Sequence, residues 1–342
     1  MSDSRVQPNK NVPYVIGVDL GGTNVRAAVL DQDEKAIGRS ENSSDAKSGV
    51  SRTVACIAEA VRGAAADAKV SLDKIGAIGI AVPGHIDVPN GMVRWAPNFG
   101  DHVDGSYVPY KNVPLQTLVE QELGMAMTMD NDANVAALGE FRYGAGRGTR
   151  HLVMFTLGTG IGGGIIIEGE VLRGATGGAA EVGHIIIADG SGGSQNGPHG
   201  RLETLAARDA ISEKAALKLE TGRKSLLWES VTGPDALQQY LSPQVVDEAA
   251  EKGDALAIEV MEEIGHYVGL GIATMVNVFN PEVVVLGGKI SRSNTLFQAA
   301  ERTAKASAIG SIFSSAKIVP AELGDNAGIM GAAELAWRLA KG

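Results

Sequence analysis

Glycine-rich turns follow three short apolar segments, and this pattern constrains the fold more than any other feature. The segments are residues 14–19 before Gly21-Gly22, residues 151–157 before Gly158, and residues 283–286 before Gly287-Gly288. Apolar runs of this length that end at glycine are typical of buried β-strands. Glycine makes up 45 of the 342 residues, about twice the ~7% average. Because ligands bind at strand ends in α/β sheets, we predict that the glycine clusters mark the sites of chemistry.

Strand and helix patterns alternate along the chain and predict an α/β fold with helices packed on mixed sheets. Residues 14–19 and 25–30 predict a β-hairpin, and residues 151–157 and 165–167, around a glycine turn at 158–164, repeat this pattern. The repetition indicates an internal duplication. Further strands are predicted over 75–82, 126–129 and 185–187, and helices over 50–69, 115–123, 133–141, most of 205–275, and 332–341.

The duplication places a domain boundary near residues 110–118. It divides the chain into a disordered tail over 1–13, a small N-terminal α/β domain over 14–117 and a large C-terminal α/β domain over 118–326. A C-terminal helix at about 327–342 is expected to pack back on the N-terminal domain.

Charge and cysteine content exclude several classes of protein. The net charge is −10, which argues against nucleic-acid and anionic-membrane partners, since both require basic surfaces. Cys56 is the single cysteine, so neither an internal disulfide nor a multi-cysteine zinc site is possible. The apolar run over 152–167 holds five glycines and is shorter than the ~20 residues of a spanning helix. With no signal peptide visible over 1–13, we expect a cytoplasmic protein.

The glycine turns are candidate phosphate sites. Amides in a glycine turn can converge on an anion because no Cβ blocks the approach. The first such turn lies in the motif Asp19-Leu-Gly21-Gly22-Thr23-Asn24, where the Asp19 carboxylate would hold a hydrated Mg²⁺ beside the phosphates. The alternative is that this turn is an ordinary tight hairpin without a ligand. The turn at 158–164 matches the dinucleotide fingerprint, but a predicted strand follows it rather than a helix. We therefore reject a dinucleotide-binding fold and retain phosphate binding, with the Thr159 hydroxyl as a further donor.

Several polar residues have both a catalytic and a structural interpretation. Asp132 is either the N-cap of the helix predicted over 133–141 or a general base that takes a proton from a hydroxyl. Glu181 and His184 would bind adjacent hydroxyls of a polyol, or are ordinary loop residues. The Asn98 amide would bind a hydroxyl, or Asn98 is an ordinary turn residue. The sequence around Glu203 predicts a surface position on a helix. Gly287-Gly288 allows close approach of a flat ring, or simply ends a strand.

Taken in order, five motifs resemble the ROK family of bacterial sugar kinases and repressors. They are Asp19-Leu-Gly-Gly-Thr-Asn24, Asn131-Asp-Ala-Asn134 with Leu138-Gly-Glu140, Gly158-Thr-Gly-Ile-Gly162, Glu181-x-Gly-His184 and Leu286-Gly-Gly288. The resemblance spans residues 14–340. It implies an actin/hexokinase-type (ribonuclease H-like) ATPase fold with two domains around a cleft.

The same resemblance implies roles for individual residues. By this resemblance, Asp132 is the catalytic base that contacts the sugar hydroxyl. The other positions that would contact the sugar are Asn98, Asn131, Glu181, His184 and Glu203. The phosphate sites are Gly21, Gly22, Thr23, Asn24, Thr159 and Gly160, and the adenosine site is Gly287 and Gly288. ATP with Mg²⁺ as cofactors and a homodimer are also implied.

One motif departs from the family pattern. Members typically carry a zinc site formed by the histidine of Glu-x-Gly-His and three cysteines. Here Ser194, Asn196 and Arg201 stand where the cysteines would be. We predict no zinc, since His184 and His199 with Ser and Asn make a weak donor set. The loop between His184 and Glu203 must then be held by hydrogen bonds, with Arg201 as a candidate donor.

The activity implied is ATP-dependent phosphorylation of a hexose, most like that of a bacterial glucokinase, giving glucose 6-phosphate. Kinases for N-acetylmannosamine, N-acetylglucosamine and fructose share these motifs, and some relatives use polyphosphate in place of ATP. A non-catalytic, sugar-sensing regulator is the other alternative. Such regulators carry an N-terminal helix-turn-helix domain, whereas 13 residues precede the first strand here, which favours the kinase.

Overall fold

The computed structural model describes residues 5–10, 12–188, 200–233 and 235–341, and it confirms a mixed α/β chain. The strands are β1 (Tyr14–Leu20), β2 (Asn24–Leu30), β3 (Ala36–Ser43), β4 (Ile75–Val82), β5 (His85–Asp87), β6 (Met92–Val103), β7 (Ser106–Val113), β8 (Met127–Asn131), β9 (Leu152–Leu157), β10 (Ile161–Ile167), β11 (Glu170–Val171), β12 (Val283–Gly287) and β13 (Lys317–Pro320). The helices are α1 (Val50–Asp67), α2 (Leu115–Leu123), α3 (Asp132–Tyr143), α4 (Leu202–Ala206), α5 (Arg208–Glu220), α6 (Pro243–Glu251), α7 (Ala255–Phe279), α8 (Asn294–Ser307), α9 (Gly310–Phe313) and α10 (Ala327–Lys341).

The chain forms two compact units. The first unit comprises Met1–Gly148, Glu170–Ala179 and Asp325–Gly342, and the second comprises Thr149–Gly169 and Ala180–Gly324. The boundary predicted between residues 117 and 118 falls inside the first unit, because β8 pairs with β4 and α3 packs against α10 there. The assignment of folding domains from the sequence stays a prediction.

The first unit is built on a mixed sheet with the strand order β3-β2-β1-β4-β8. β1 and β2 form the antiparallel hairpin that the sequence predicts. β4 and β8 run parallel to β1, with Asp19 beside Ala81 and Ala81 beside Asp130. The carboxyl ends of these three strands therefore share one edge of the sheet. A smaller antiparallel sheet of β5, β6 and β7 contributes Ile86, Phe99 and other apolar side chains to the core of this unit.

Helix α10 lies against this sheet at backbone distance. A Cβ added at Gly79 in β4 would come within 1.8 Å of the Ala332 carbonyl oxygen, and one at Gly331 would come within 1.8 Å of the Val135 oxygen in α3. Any side chain at either position would force the helix away from its neighbour. Part of the glycine excess thus serves packing, at positions outside the three predicted glycine clusters.

The second unit contains the strand order β10-β9-β12-β13. β12 runs parallel to β9, with Leu286 beside Phe155 and Gly287 beside Thr156, so these two strands also end at a common edge. The predicted glycine turn over 158–164 was too long. Gly162–Gly164 belong to β10, where they pair antiparallel with Thr156, Phe155 and Met154, and the turn itself is 158–160. The predicted strand over 185–187 is also wrong, since only an isolated bridge joins Ile186 to Arg201.

Among the helices of the described ranges, none combines the length and the apolar character that crossing a bilayer requires. The longest helix, α7, has thirteen buried residues and forms the core of the second unit. Its N-cap is Asp254, whose carboxylate accepts hydrogen bonds from the Ala257 amide at 2.9 Å, the Leu226 amide at 2.7 Å and the Ser225 hydroxyl at 3.0 Å. Burial alone would raise the pKa of Asp254, but these hydrogen bonds outweigh it and hold the pKa below its ordinary value.

The lowered pKa predicts how α7 responds to acid. A carboxylate with a depressed folded-state pKa stabilises the fold above its unfolded pKa of ~3.9, and this contribution is lost as the pH falls through the folded value. Asp254→Asn keeps a capping oxygen but cannot ionise. We expect it to be about 1 kcal/mol less stable than the parent at pH 7, with the difference shrinking below pH ~4 in urea unfolding. A difference that stays constant from pH 7 to pH 3 would contradict this account of the cap.

Candidate active site

The carboxyl edge of the first sheet holds Asp19 and Asp132, the predicted acidic residues of this unit, together with two further polar residues. Asp19 is the penultimate residue of β1, Asp130 and Asn131 end β8, and Asp132 opens α3. Asp132 is exposed, and its Oδ1 accepts a hydrogen bond from the Ala133 amide at 2.9 Å. The side chain thus presents a carboxylate to solvent at the amino terminus of a helix.

Asn131, and not Asp132, is the N-cap of α3. Its Oδ1 accepts hydrogen bonds from the amides of Ala133 at 3.0 Å and Asn134 at 3.2 Å. Its Nδ2 donates to the Gly84 oxygen at 3.0 Å and so joins the end of β8 to the turn between β4 and β5. A side-chain amide has two N–H groups, so one remains for a ligand. The capping role considered for Asp132 is therefore filled by its neighbour.

Asp130 is a buried carboxylate with no role predicted from the sequence. It is 1% exposed, and its Oδ1 accepts a hydrogen bond from the Asn131 amide at 2.8 Å. Its Oδ2 accepts one from Arg173 Nε at 2.7 Å. A buried charge requires a partner, so an aspartate in a buried strand was a usable signal, although the identity of the partner is not visible in the sequence.

Arg173 anchors a loop of the segment Glu170–Ala179. The Ala179 amide donates to the Arg173 oxygen at 3.1 Å and closes the loop, and His85 Nε2 lies 2.8 Å from the Thr176 oxygen. Ala180 follows with a φ of 66°, in the left-handed region that non-glycine residues rarely adopt. The next residue is Glu181. The backbone is therefore strained directly before a predicted sugar-contacting carboxylate.

The hairpin turn after β1 has the features of an anion site. The Gly21 amide donates to the Asn24 oxygen at 2.9 Å, and Asn24 Nδ2 donates to Glu41 at 2.6 Å. Within the described residues, the amides of Gly22 and Thr23 have no protein acceptor. Two adjacent free amides can bind a phosphate oxygen.

Asp19 stands beside this turn in a crowded setting. Its Oδ2 accepts a hydrogen bond from Arg26, and its side chain is 18% exposed. A Cβ added at Gly328, near the start of α10, would come within 2.9 Å of its Cγ. One carboxylate oxygen, Oδ1, is not engaged by Arg26.

Asn98 lies on an irregular stretch of β6 and is exposed. The pairing of β6 with β7 shifts register between Ala96 and Gly100. The Tyr107 hydroxyl donates to the Pro97 oxygen at 2.9 Å, which fixes the backbone next to Asn98. Asn98 is thus a strand residue at a bulge and not a turn residue.

In the second unit, the turn after β9 and the end of β12 lie side by side. The Gly158 amide donates to the Gly160 oxygen at 2.9 Å, and within the described part of the chain the amides of Thr159 and Gly160 have no acceptor. Gly288 has a φ of 86°, and a Cβ there would come within 2.2 Å of the Leu157 oxygen. Only glycine allows the chain after β12 to pass this close to the end of β9.

Glu203 supports the turn after β9. It lies in α4 and is half-buried, and its Oε2 accepts a hydrogen bond from the Ile161 amide at 2.8 Å. Its default interpretation as a surface helix residue was therefore wrong. Its Oε1 remains available to a ligand.

Glu181 and His184 face one another on a short 3₁₀ turn. Glu181 Oε2 lies 3.9 Å from His184 Nε2, and both side chains are exposed. The positions that replace the zinc-binding cysteines at 194 and 196, together with His199, lie outside the described residues. Arg201 and Ile186 form the bridge noted above. The absence of zinc stays a prediction that rests on the single cysteine of the sequence.

The predicted set is divided between the two units. Asp19, Gly21, Gly22, Thr23, Asn24, Asn98, Asn131 and Asp132 belong to the first unit, and Thr159, Gly160, Glu181, His184, Glu203, Gly287 and Gly288 belong to the second. In each unit, predicted phosphate-binding residues lie at strand ends. Their individual roles stay predictions.

The pair of Asp130 and Arg173 predicts a large loss of stability when one partner is removed. Arg173→Met leaves a buried carboxylate unpaired, which typically costs 3–5 kcal/mol. Because Arg173 is 31% exposed, we expect about 3 kcal/mol in urea unfolding. The double variant Asp130→Asn/Arg173→Met should recover part of this loss. Arg302→Met, which breaks an exposed pair with Glu262, is the control and should cost under ~1 kcal/mol. Equal losses for Arg173→Met and the control would rule out the pair as a stabilising contact.

The strained Ala180 predicts a stabilising substitution. A left-handed conformation costs a non-glycine residue about 1–2 kcal/mol, whereas glycine loses about 0.5–1 kcal/mol through backbone entropy. Ala180→Gly should therefore raise the free energy of unfolding by up to ~1 kcal/mol. Ala179→Gly, one residue earlier and without the positive φ, should lower it. If both variants change the free energy of unfolding in the same direction, the left-handed backbone at Ala180 does not destabilise the fold.

Comparison with known proteins identifies the family to which the chain belongs. The ROK family profile matches residues 15–338. A glucokinase of Halalkalibacterium halodurans is 33% identical over 325 residues, which cover 93% of each chain. The crystal structure of a ROK family glucokinase from Streptomyces griseus, in complex with glucose and AMPPNP, is 31% identical, with a TM-score of 0.76 over 95% of this chain and 99% of that one.

A regulator of the same family is also similar. The DNA-binding transcriptional repressor Mlc of Escherichia coli is 31% identical over 222 residues, which cover 65% of this chain and 50% of the repressor. The structural neighbours confirm the predicted actin/hexokinase-type ATPase fold. The profile match and the identities establish that the chain belongs to the ROK family.

Proposed function

We propose that this protein is a hexose kinase that transfers the γ-phosphoryl group of ATP to the C6 hydroxyl of D-glucose. The observation that carries the proposal is the position of Asp132, an exposed carboxylate fixed as the first residue of α3 at the carboxyl edge of the first sheet. A carboxylate in this setting can accept the proton of an attacking hydroxyl. The similarity to glucokinases supports glucose as the acceptor.

The amide, carboxylate and imidazole groups that the family resemblance singles out would contact sugar hydroxyls. Asn131 retains one N–H, and Glu203 retains Oε1, so each can contact a hydroxyl without losing its structural bond. Asn98, Glu181 and His184 present exposed polar groups. Such contacts orient the C6 hydroxyl toward Asp132, and alignment of this kind supplies much of the rate in phosphoryl transfer.

The free amides at the glycine turns would bind the nucleotide phosphates. Gly22 and Thr23 carry such amides in the first unit, and Thr159 and Gly160 carry them in the second; each turn is a candidate phosphate site by itself. Fixed amide dipoles stabilise the charge that develops on the transferring group. Gly287-Gly288, which lie beside the turn after β9, would take the adenosine.

Mg²⁺ bound with ATP would neutralise charge on the β- and γ-phosphates. Magnesium sites of this kind usually use one or two carboxylates, with water and phosphate oxygens completing the shell. Asp19 fits through Oδ1, because Oδ2 accepts a hydrogen bond from Arg26. The described residues hold no cluster of three or more His, Cys, Asp or Glu able to bind a metal ion.

Two alternatives follow from the relatives. Another hexose or an N-acetylhexosamine would serve as acceptor with the same base, so the substrate is tested with a panel of sugars. The similarity to Mlc supports a second candidate, a sugar-sensing regulator without turnover. A cytoplasmic location and a homodimer complete the proposal as expectations of the family resemblance.

Asp132→Asn tests the proposed base. The asparagine oxygen can still accept the Ala133 amide, so the start of α3 is kept while the proton acceptor is lost. We expect kcat for glucose to fall by about 10²–10⁴-fold, with a smaller change in KM for ATP, in an ADP-release assay. The sugar panel comprises glucose, mannose, fructose, N-acetylglucosamine and N-acetylmannosamine.

Asp73→Asn is the matched control, because Asp73 is exposed in the same unit and precedes the amino end of β4. Its kcat should equal that of the parent. Near-parental turnover by a folded Asp132→Asn protein would remove Asp132 from the mechanism. No turnover of any sugar by the parent protein would favour the regulator.

A further inference from the structure

We propose that Arg208 binds the phosphate chain of the nucleotide at the turn formed by residues 158–160. The inference rests on the proposed nucleotide site and adds a residue that neither the motifs nor the predicted site includes. The Arg208 guanidinium would be the positive charge that the second unit contributes to binding the phosphoryl donor.

Arg208 contacts the turn through both its backbone and its side chain. It is the first residue of α5, and its amide donates to the Gly158 oxygen at 3.1 Å. Its Nη1 donates to the Thr159 hydroxyl oxygen at 3.4 Å. The guanidinium therefore lies beside the residue whose free amide and hydroxyl are proposed to face a phosphate.

The guanidinium is available for a ligand. Its side chain is 49% exposed, and its Nε donates to Asp209 Oδ1 at 2.7 Å. This hydrogen bond raises the pKa of Arg208, and arginine is charged at any relevant pH in any case. The Asp209 side chain is 75% exposed, so water screens the pair and its attraction is weak. Within the described ranges Nη2 has no acceptor, which leaves one side of the fork free.

The chemistry of a triphosphate explains why a cation is needed here. The chain carries a net charge of −10, so its average field repels a polyanion. Free amides of the turn supply only partial positive charge. An arginine adds a full charge and a planar fork that can bond two phosphate oxygens at once. Lys289, exposed and directly after Gly288 at the neighbouring strand end, is a second cation at this edge.

Equilibrium binding to the full chain tests this role without requiring turnover. Arg208→Met removes the charge and keeps the aliphatic stem, and Arg208→Lys keeps the charge without the fork. Arg302→Met is the matched control, since Arg302 is also largely exposed, at 60% of its side chain, and is paired with a glutamate on a neighbouring helix of the same unit. Each protein is titrated calorimetrically with Mg·ATP and, separately, with adenosine.

We expect Arg208→Met to bind Mg·ATP about 10–100-fold more weakly than the parent, as is usual for loss of a charged hydrogen bond. Its affinity for adenosine should be unchanged, because adenosine has no phosphate to contact. The affinity of Arg208→Lys for Mg·ATP should lie between those of the parent and Arg208→Met. The affinity of Arg302→Met for Mg·ATP should equal that of the parent. A Mg·ATP affinity within twofold of the parent would overturn the proposal. An equal loss of affinity for ATP and adenosine would do the same, because it would indicate damage to the turn.

Failure of the proposed function gives a different result. A parent protein that binds Mg·ATP but phosphorylates no sugar refutes the hexose kinase and leaves the Arg208 comparison decisive. A parent protein that phosphorylates glucose, with Arg208→Met binding Mg·ATP normally, refutes the role of Arg208 alone.

Discussion

The backbone contact between α10 and the first sheet is the constraint on which the candidate site of this unit depends. Gly79 and Gly331 allow the helix to approach β4 and α3 closely enough that any side chain would separate them. The same approach brings Gly328 against the carboxylate of Asp19. Because α3 begins with Asp132 and packs on α10, the position of the proposed base depends on this packing. The C-terminal helix is thus part of the site's scaffold, although it supplies no predicted ligand group.

The two units share a construction and differ in chemistry. Each has an antiparallel hairpin with a glycine turn, β1-β2 or β9-β10, and a parallel strand beside it, β4 or β12. The recurring hairpin is the pattern predicted from the sequence, and the duplication that would explain it stays a prediction. Both units have free amides at a glycine turn, but the first adds the carboxylates of Asp19 and Asp132 at its strand ends, whereas the second adds Arg208 beside its turn. The first set suits the transfer of a proton from a hydroxyl, and the second suits the binding of a polyanion.

Local features were predictable from the sequence and long-range partners were not. The strand over 75–82 and the helix over 115–123 appear as predicted, since apolar runs and periodicity determine them. Gly162–Gly164 were assigned to a turn because glycine disfavours strands, yet pairing with β9 overrides that preference. Asp132 was considered as the cap of α3 until the structure placed Asn131 there. The contacts of Arg173 and Arg208 are not predictable from the sequence, because their partners lie 43 and 49 residues away and no spacing rule identifies such a partner.

The central claim, that this chain phosphorylates glucose at C6, is tested most directly by identifying the product. The full-length protein is incubated with D-glucose and Mg·ATP and followed by ³¹P NMR. We expect loss of the γ-phosphate signal, growth of the ADP signals, and one new phosphomonoester whose phosphorus couples to the two protons on C6. A phosphomonoester on another carbon would contradict the proposed position of transfer. Intact ATP after prolonged incubation with folded protein would contradict glucose as the acceptor.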